Sequence, residues 1–581
     1  MASLVSGGSA AQHRQHWCCA RCRISTQHRQ GGQQLWVCFV DFKQAYDRVS
    51  RERLWLKLAA RGLGGSWLRA VQALYADVPM AVRIASGLTA PFQAKVGLKQ
   101  GCPLSPTLFG LFIDDFERAV LSAAAEGQQL DLPVFSGSSE PVPPLLFADD
   151  IALVSTSAAG LQRQLDLLQR YCQQCGLTVN TVKTKLMILS GQRRQGDAQR
   201  AADAARLSFG GQQLEAVTSF KYLGITFHST QQIAAPAAAA RAGAAWAALH
   251  RSNARCAELG VEAAPLRMRL FSTMVDSVLS YGAEVWGIQL AAAAAVGSGS
   301  TGCRAQRLHL AFLRMQLGVS QATPVPVVLA EAGERPLWMR WLQRSVRLLG
   351  RCLEAAEGSV LRRALKASCL VAATGGQRSW AAQLQAAMGA VGLQLDLQQP
   401  EAVGKAALRD ACWARQAAIL QEAASREGAS RYQHYVSGTC GGRPAPAVQP
   451  AYLSRVRERH RRVALAQLRT GTHWGAEETG RCQRPRVPRE QRVCPHCAGS
   501  AIETVAHMVF VCPFYAAVRT QFADLFAEMP EPPTLEPFFR QSTGRPIRLA
   551  RFAAALHHAW QAAAGLPPPP ANDAATNTTA C

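Results

Sequence analysis

Residues 145–155 read LLFADDIALVS, two short apolar runs with the adjacent carboxylates Asp149 and Asp150 between them. Apolar runs of this length bounded by polar residues read as buried strands, and two joined by a tight polar link read as a hairpin. The carboxylates then sit at the hairpin tip. Neighbouring anions on a buried sheet repel each other unless a positive group lies between or beside them, and a divalent cation meets that need. Taken alone, the pair is explained equally well by an Asx-type turn, because Asp favours turns for local reasons.

Residues 35–42, LWVCFVDF, place a lone carboxylate, Asp41, at the end of an uninterrupted apolar strand. A helix-like segment follows from Lys43 to Gly62, with Ala45, Val49, Leu54 and Leu58 apolar and Gly62 as C-cap. Two-metal phosphoryl transfer requires carboxylates from different strands to converge on ions about 3.5–4 Å apart. Asp41 from one strand with Asp149 and Asp150 from a hairpin would supply that set.

At 581 residues the chain exceeds a single core. Its 63 Lys and Arg against 39 Asp and Glu, a net charge of +24, point to a polyanionic partner. No apolar run reaches the ~18–20 residues of a membrane span, and residues 1–30 lack a signal-type apolar core. A nuclear or cytoplasmic rather than secreted protein is expected, its 18 Cys reduced or metal-bound.

Five stretches carry a family resemblance: FVDFKQAYDRV (39–49), GLKQGCPLSPTLFGLFIDDF (97–116), LLFADD (145–150), GLTVNTVKTK (176–185) and FKYLGITF (220–227). In order, they resemble successive palm motifs of reverse transcriptases, most closely those of non-LTR (LINE-type) retrotransposons. The resemblance implies an α+β fold: a polymerase palm, an antiparallel sheet with packed helices, followed by a helical thumb and a small C-terminal zinc-binding element. It implies RNA-directed DNA synthesis from an RNA template, a DNA primer or target and deoxynucleotide triphosphates, with no membrane partner. Asp41, Asp149 and Asp150, assisted by the Phe42 carbonyl, would hold two Mg²⁺. Tyr46 would gate against the ribose 2′-hydroxyl, Gln100 and Gly101 would contact the incoming nucleotide, and Lys183 would face the leaving pyrophosphate. Tyr222, Leu223 and Gly224 would form the primer grip. Read without the resemblance, Tyr46 is a core aromatic at helical spacing and Lys183 a solvated lysine.

The remaining chain divides by composition. Residues 1–34 are polar and expected to be disordered or a remnant of the fingers; Cys19 and Cys22 have ligand spacing but no second pair nearby. With 40 residues before Asp41, the chain reads as truncated at its start. The palm covers 35–228. Residues 66–96 read as a helix from Ser66 and a strand pair, 80–85 with 92–96. A helix begins near Ser105, a surface excursion spans 124–144, and Ser157 caps a helix running to Cys175. A thumb spans 229–300, with long helices at 234–259 and 265–290, and a helical linker without recognisable chemistry spans 301–450. In 451–530 a basic block (Arg455, Arg457, Arg459, Arg461, Arg462, then Arg469, Arg481, Arg484, Arg486, Arg489 and Arg492) reads as phosphate contacts. There Cys494, Cys497, His507 and Cys512 make a thiolate–imidazole set suited to a closed structural zinc site. ETVAHMVFVCP (503–513) resembles the CCHC element that ends many LINE-type proteins. The Pro-rich tail, 531–581, is expected to be disordered. Two alternatives stand beside the polymerase: an inactive retroelement fragment that binds nucleic acid, and a palm polymerase of maturase or telomerase type.

Overall fold

The computed structural model describes residues 34–85, 87–189, 195–230, 233–296, 302–442, 449–497 and 499–566. The Cys19/Cys22 pair, the segment before residue 34 and the prolines at 567–570 lie outside them. Contacts divide the chain into two compact units, one of residues 1–237, 349–383 and 396–400, the other of 238–348, 384–395 and 401–581. Thus 349–383, expected within a linker, clusters with the first unit.

The first unit is built on five strands: β1 (Leu35–Val40), β2 (Leu145–Phe147), β3 (Asp150–Ser155), β4 (Lys185–Leu189) and β5 (Glu215–Ala216). Their order is β5-β4-β1-β3-β2, antiparallel except for the β5–β4 edge. β1 lies at the centre and is buried along its whole length, which is why its sequence is continuously apolar rather than alternating. Trp36, Cys38 and Val40 join Ile151 and Leu153 on the face covered by helices α1 (Arg51–Ala60), α2 (Gly65–Ala76), α3 (Ser105–Ile113), α4 (Asp115–Ala125) and α5 (Ala158–Cys175). Lys57 ties three of these helices together. Its ammonium donates to the Phe112 carbonyl at 2.7 Å, Asp115 Oδ1 at 2.9 Å and the Tyr171 hydroxyl at 3.0 Å.

The carboxylate hairpin forms as expected, and α5 is capped by the Ser157 hydroxyl on the Gly160 amide and closed by Gly176 at φ +73°. Leu161, Leu165, Leu168, Tyr171 and Cys172 make its buried stripe. Other expectations are corrected. Residues 43–48 are turn rather than helix, and α1 starts only after Ser50, whose side chain accepts from the Arg53 amide. The strand pair at 80–96 reduces to two-residue pairings, Pro79–Met80 with Phe92–Gln93 and Arg83–Ile84 with Gly87–Leu88. The single helix expected from Ser105 is two, meeting at Asp114. The 124–144 segment is no loose excursion: Leu130, Phe135 and Val142 are buried. The helix Ala234–Glu258 forms, whereas 265–290 breaks around Gly282, whose φ of +69° no regular helix allows.

The second unit is helical. In it Glu331, fully buried, accepts from Arg469 Nε at 2.7 Å and Nη2 at 3.2 Å, Tyr452 at 2.7 Å and Tyr435 at 3.0 Å. A buried ion pair with every lone pair occupied avoids the penalty of a stranded charge. Residues 535–563, inside the stretch expected to be disordered, form helices Leu535–Gly544 and Pro546–Ala563, because Phe538, Phe539, Leu549, Phe552, Ala553 and Leu556 bury one apolar face.

Gly160 packs the first turn of α5 so tightly that an added Cβ would lie 2.6 Å from both the Leu130 carbonyl and the Ser155 hydroxyl. Gly→Ala inside a helix normally stabilises by about 1 kcal/mol, but overpacking costs about 1–3 kcal/mol. Gly160→Ala therefore lowers the urea midpoint; an unchanged or raised midpoint contradicts this packing.

Candidate active site and candidate metal centre

The β1–β3 ladder pairs Val40 with Ile151. One further step in that register sets Asp41 across from Asp150, and cross-strand neighbours have Cα atoms about 4.5–5.5 Å apart. Strand alternation puts Asp41 on the face of Phe39, away from the helices. Asp149 lies in the two-residue turn, Ala148–Asp149, between the paired Phe147 and Asp150. The turn has a positive φ only at its first residue, Ala148 at +50°, the pattern of a type II′ turn, where glycine is usual. A non-glycine residue held there stores strain, and such strain concentrates at functional turns.

Backbone bonds aim the neighbouring groups. The Asp41 amide donates to the Thr184 hydroxyl at 3.2 Å, and its carbonyl accepts from the Asn180 amide at 2.7 Å. Phe42 bridges Val179, with the flanking bonds made by the Lys43 N–H and the Asp41 carbonyl. The Phe42 carbonyl therefore points to the opposite side of the strand, the side of β3 and the carboxylate turn. Lys183, exposed, follows Asn180 by three residues, its amide donating to the Asn180 carbonyl at 3.1 Å.

The loop after Asp41 is fastened to the loop before α3. The Leu98 amide donates to the Tyr46 carbonyl at 2.8 Å, the Gly97 amide to the Val49 carbonyl at 3.0 Å, and Gln100 Nε2 to Asp47 Oδ1 at 2.8 Å. Gly97, at φ +83°, has no room for a Cβ, which would come 2.7 Å from the Asp47 carbonyl. Tyr46, half-buried, lays its ring 5.0 Å from that of Phe109. Gln100 and Gly101 are exposed, and beside them the Leu104 amide holds the Cys102 thiol below its usual range. Tyr46, Gln100 and Gly101 thus gather on one pair of loops next to Asp41.

Residues 219–228 form a second hairpin, β6 (Ser219–Tyr222) and β7 (Ile225–His228). Its turn residues Leu223 and Gly224 both have positive φ, 47° and 78°, as a type I′ turn requires. Phe220, Tyr222 and Phe227 stack on Phe39, with ring centroids 4.2, 5.3 and 6.5 Å away, so this hairpin covers the carboxylate face two residues before Asp41. The Tyr222 hydroxyl donates to the Asp150 carbonyl at 3.5 Å. Thr184, Asn180 and this Tyr222 contact escape sequence reasoning: each acts on backbone, and only the ladder accounting around Asp41 points to them.

In the second unit Cys494, Cys497, His507 and Cys512 bring their ligand atoms within 4.8 Å of one another, a set that could hold a metal ion. Cys494 Sγ lies 3.8 Å from Cys512 Sγ, and Cys497 Sγ lies 3.5 Å from His507 Nε2. The first Cys pair sits on a loop closed by the Val493–Ile502 bridge and the Cys494 amide on the Ala501 carbonyl at 2.9 Å. A wide π-type turn, His507–Val511, returns Cys512, whose amide donates to the His507 carbonyl at 2.8 Å. Burial pushes the Cys494 thiol up to about 12, so without a cation it stays protonated.

The basic block is corrected. Arg462, Arg469 and Arg492 are buried. Arg462 caps the Val456 carbonyl at 2.8 Å, Arg469 pairs with Glu331, and Arg492 caps the Val487 carbonyl at 2.7 Å. Arg455, Arg457, Arg484, Arg486 and Arg489 are exposed.

Residues 6–227 match the reverse transcriptase (RNA-dependent DNA polymerase) family. The match starts upstream of the 35–228 stretch marked by the motifs and ends within one residue of it. Three relatives carry the same likeness. The chain is 30% identical over 156 residues to a 149 kDa protein of transposon TX1 of Xenopus laevis, covering 27% of this chain and 12% of that protein. It is 31% identical over 146 residues to a transposon-derived protein of Caenorhabditis elegans, covering 24% and 48%. It is 26% identical over 201 residues to the retrovirus-related Pol polyprotein from the type-2 retrotransposable element R2DM of Drosophila melanogaster, covering 34% and 18%. The chain thus spans less than half the length of each of these relatives. Among solved structures, telomerase from Candida albicans in complex with a telomeric RNA fragment overlaps 66% of this chain and 54% of that one at a TM-score of 0.31 and 13% identity, too low to carry argument. No helix among the described residues is long and apolar enough to cross a membrane.

A β-branched side chain in the left-handed region is strained by a further 1–2 kcal/mol or so. Ala148→Val therefore destabilises the hairpin while Ala148→Gly does not, read as faster amide exchange in 145–152; equal protection in both variants contradicts the turn geometry.

Proposed function

We propose that this chain is an RNA-directed DNA polymerase of the non-LTR retrotransposon kind. The observation that carries the reading is the β1–β3 register, whose Val40–Ile151 pair stands one residue short of Asp41 on one strand and of the Asp149–Asp150 turn on the other. Hard carboxylate oxygens with one backbone carbonyl, that of Phe42, suit Mg²⁺. Two such ions, when bound, lower the pKa of a primer 3′-hydroxyl and neutralise the leaving pyrophosphate. The chain's own part is positional. Thr184 and Asn180 fix the Asp41 backbone, Tyr222 restrains that of Asp150, and the tied loops present Gln100 and Gly101 to the incoming nucleotide. Tyr46, anchored on Phe109, excludes the ribose 2′-hydroxyl, and Lys183 meets the pyrophosphate. Tyr222, Leu223 and Gly224 grip the primer end. The RNA template follows from the retroelement relatives, and the net charge of +24 supports a polyanionic partner.

In the second unit the donor chemistry favours zinc. A tetrahedral ion with Zn–S of about 2.3 Å and Zn–N of about 2.0 Å has S···S edges of about 3.8 Å and S···N edges of about 3.5 Å. The observed 3.8 and 3.5 Å match both. With four protein ligands the site is closed and structural.

Asp149→Asn keeps the turn and removes a metal ligand. It lowers primer extension on an RNA template with Mg²⁺ by at least about a thousandfold, while RNA retention on filters is unchanged. Retained extension removes the assignment; a wild-type chain that binds RNA but never extends a primer favours the inactive nucleic-acid-binding reading instead. For the second site, elemental analysis of protein purified without chelator finds about one zinc per chain, lost in Cys512→Ala. Wild-type protein without zinc sinks that reading.

A further inference from the structure

Helix α6 (Val360–Ala373) comes from a stretch in which sequence reading found no chemistry, yet within the first unit it presses on the loop that feeds the carboxylate hairpin. Arg363 makes the contact. Its Nη1 donates to the Glu140 carbonyl at 3.1 Å and the Pro141 carbonyl at 3.4 Å, and its Nη2 reaches the Pro141 carbonyl at 3.4 Å. The same guanidinium pairs with the Glu140 carboxylate at 3.0 Å and lies 5.9 Å from the centroid of the buried Phe135 ring. Its side chain is only 10% exposed, so these groups hold it on most sides. Leu370, two turns further along α6, meets Gly137 so closely that a Cβ there would come to 3.1 Å.

The gripped loop is closed on itself. Val134 bridges Pro141, and the Val142 amide donates to the Pro133 carbonyl at 2.7 Å. From it Pro141-Val142-Pro143-Pro144 runs directly into β2, which ends at the Ala148–Asp149 turn. Three prolines in four residues fix φ near −65° at each, so the connector transmits a displacement rather than absorbing it. We propose that Arg363 is a positioning residue for the carboxylate turn: α6 clamps the Glu140–Pro141 backbone and so sets where β2 and Asp149 stand. The clamp ties a helix more than two hundred residues downstream to the loop that leads into the carboxylate turn.

The functional half of this inference rests on the polymerase reading; the mechanical half does not. Both are tested in the full chain. In Arg363→Ala, amide exchange across 141–151 rises about tenfold or more while amides of β4 and α1 are unchanged. Single-nucleotide extension slows roughly ten- to a hundredfold, with the nucleotide KM held and the half-saturating Mg²⁺ raised, since displaced ligands weaken the ion site. Arg363→Lys keeps the charge, loses the two-armed grip, recovers part of both effects, and stands in should Arg363→Ala fail to fold. Unchanged exchange at 141–151, or a rise spread evenly over the first unit, overturns the clamp. Faster exchange with unaltered extension overturns the positioning role. A wild-type chain without extension defeats the polymerase reading, and the exchange result then decides the clamp alone.

Discussion

The register between β1 and β3 is the constraint on which the first unit depends. Side chains alternate with a period of two, so a slip of one residue would turn Asp41 into the helix-covered core and lift Val40 to the face of Phe39. Five consecutive pairs from Trp36–Ser155 to Val40–Ile151 oppose that slip, each buried. The apolar core beneath, from Leu54 through Phe116 to Leu168, serves chiefly to make that register unambiguous. Like charges brought together this way repel. On the proposed reading, a cation at the sheet end would offset that repulsion.

Irregular geometry recurs around that point. Ala148 takes a left-handed conformation, Gly97 occupies a gap no side chain fits, and the β6–β7 turn needs two positive φ angles. Aromatic packing joins the two hairpins: three rings on Phe39 place the second hairpin over the carboxylate face, so the strand that ends in Asp41 also seats the element read as the primer grip. One strand thus fixes the relation between the two parts.

What was legible in the sequence was what depends on neighbours in the chain. The apolar runs at 35–40 and 145–155, the Ser157 cap and the Gly176 stop follow from periodicity and local hydrogen bonding, and they appear as read. The gathering of Tyr46, Gln100 and Gly101 was legible only through the resemblance, since no local pattern ties residue 46 to residue 98. Three kinds of feature were not legible. A turn at 43–48 interrupts a helical pattern because the loop beyond must reach back to Gly97, a tertiary demand. The break at Gly282 falls inside a good apolar stripe. Helices at 535–563 hide in a Pro-rich stretch, because composition averages over the phenylalanines that bury there.

The arginines of 451–492 show why charge alone is a poor guide to an interface. Read along the chain they form one basic block; in the fold they divide by burial. Arg469 is bound to Glu331 and to the Ser542 hydroxyl, and Arg462 and Arg492 cap backbone carbonyls that would otherwise be stranded. A buried guanidinium already paired offers nothing to a phosphate, and removing it leaves an uncompensated partner behind. Arg455, Arg457, Arg484, Arg486 and Arg489 are exposed and Arg459, Arg461 and Arg481 partly so; of these Arg461 pairs with Glu458, Arg481 with Glu478 and Arg489 with Glu477. Any phosphate-binding face of this segment has to be built from these exposed and partly exposed residues. Loss of affinity on replacing Arg462 or Arg469 would report the collapse of a helix junction, not the loss of a contact.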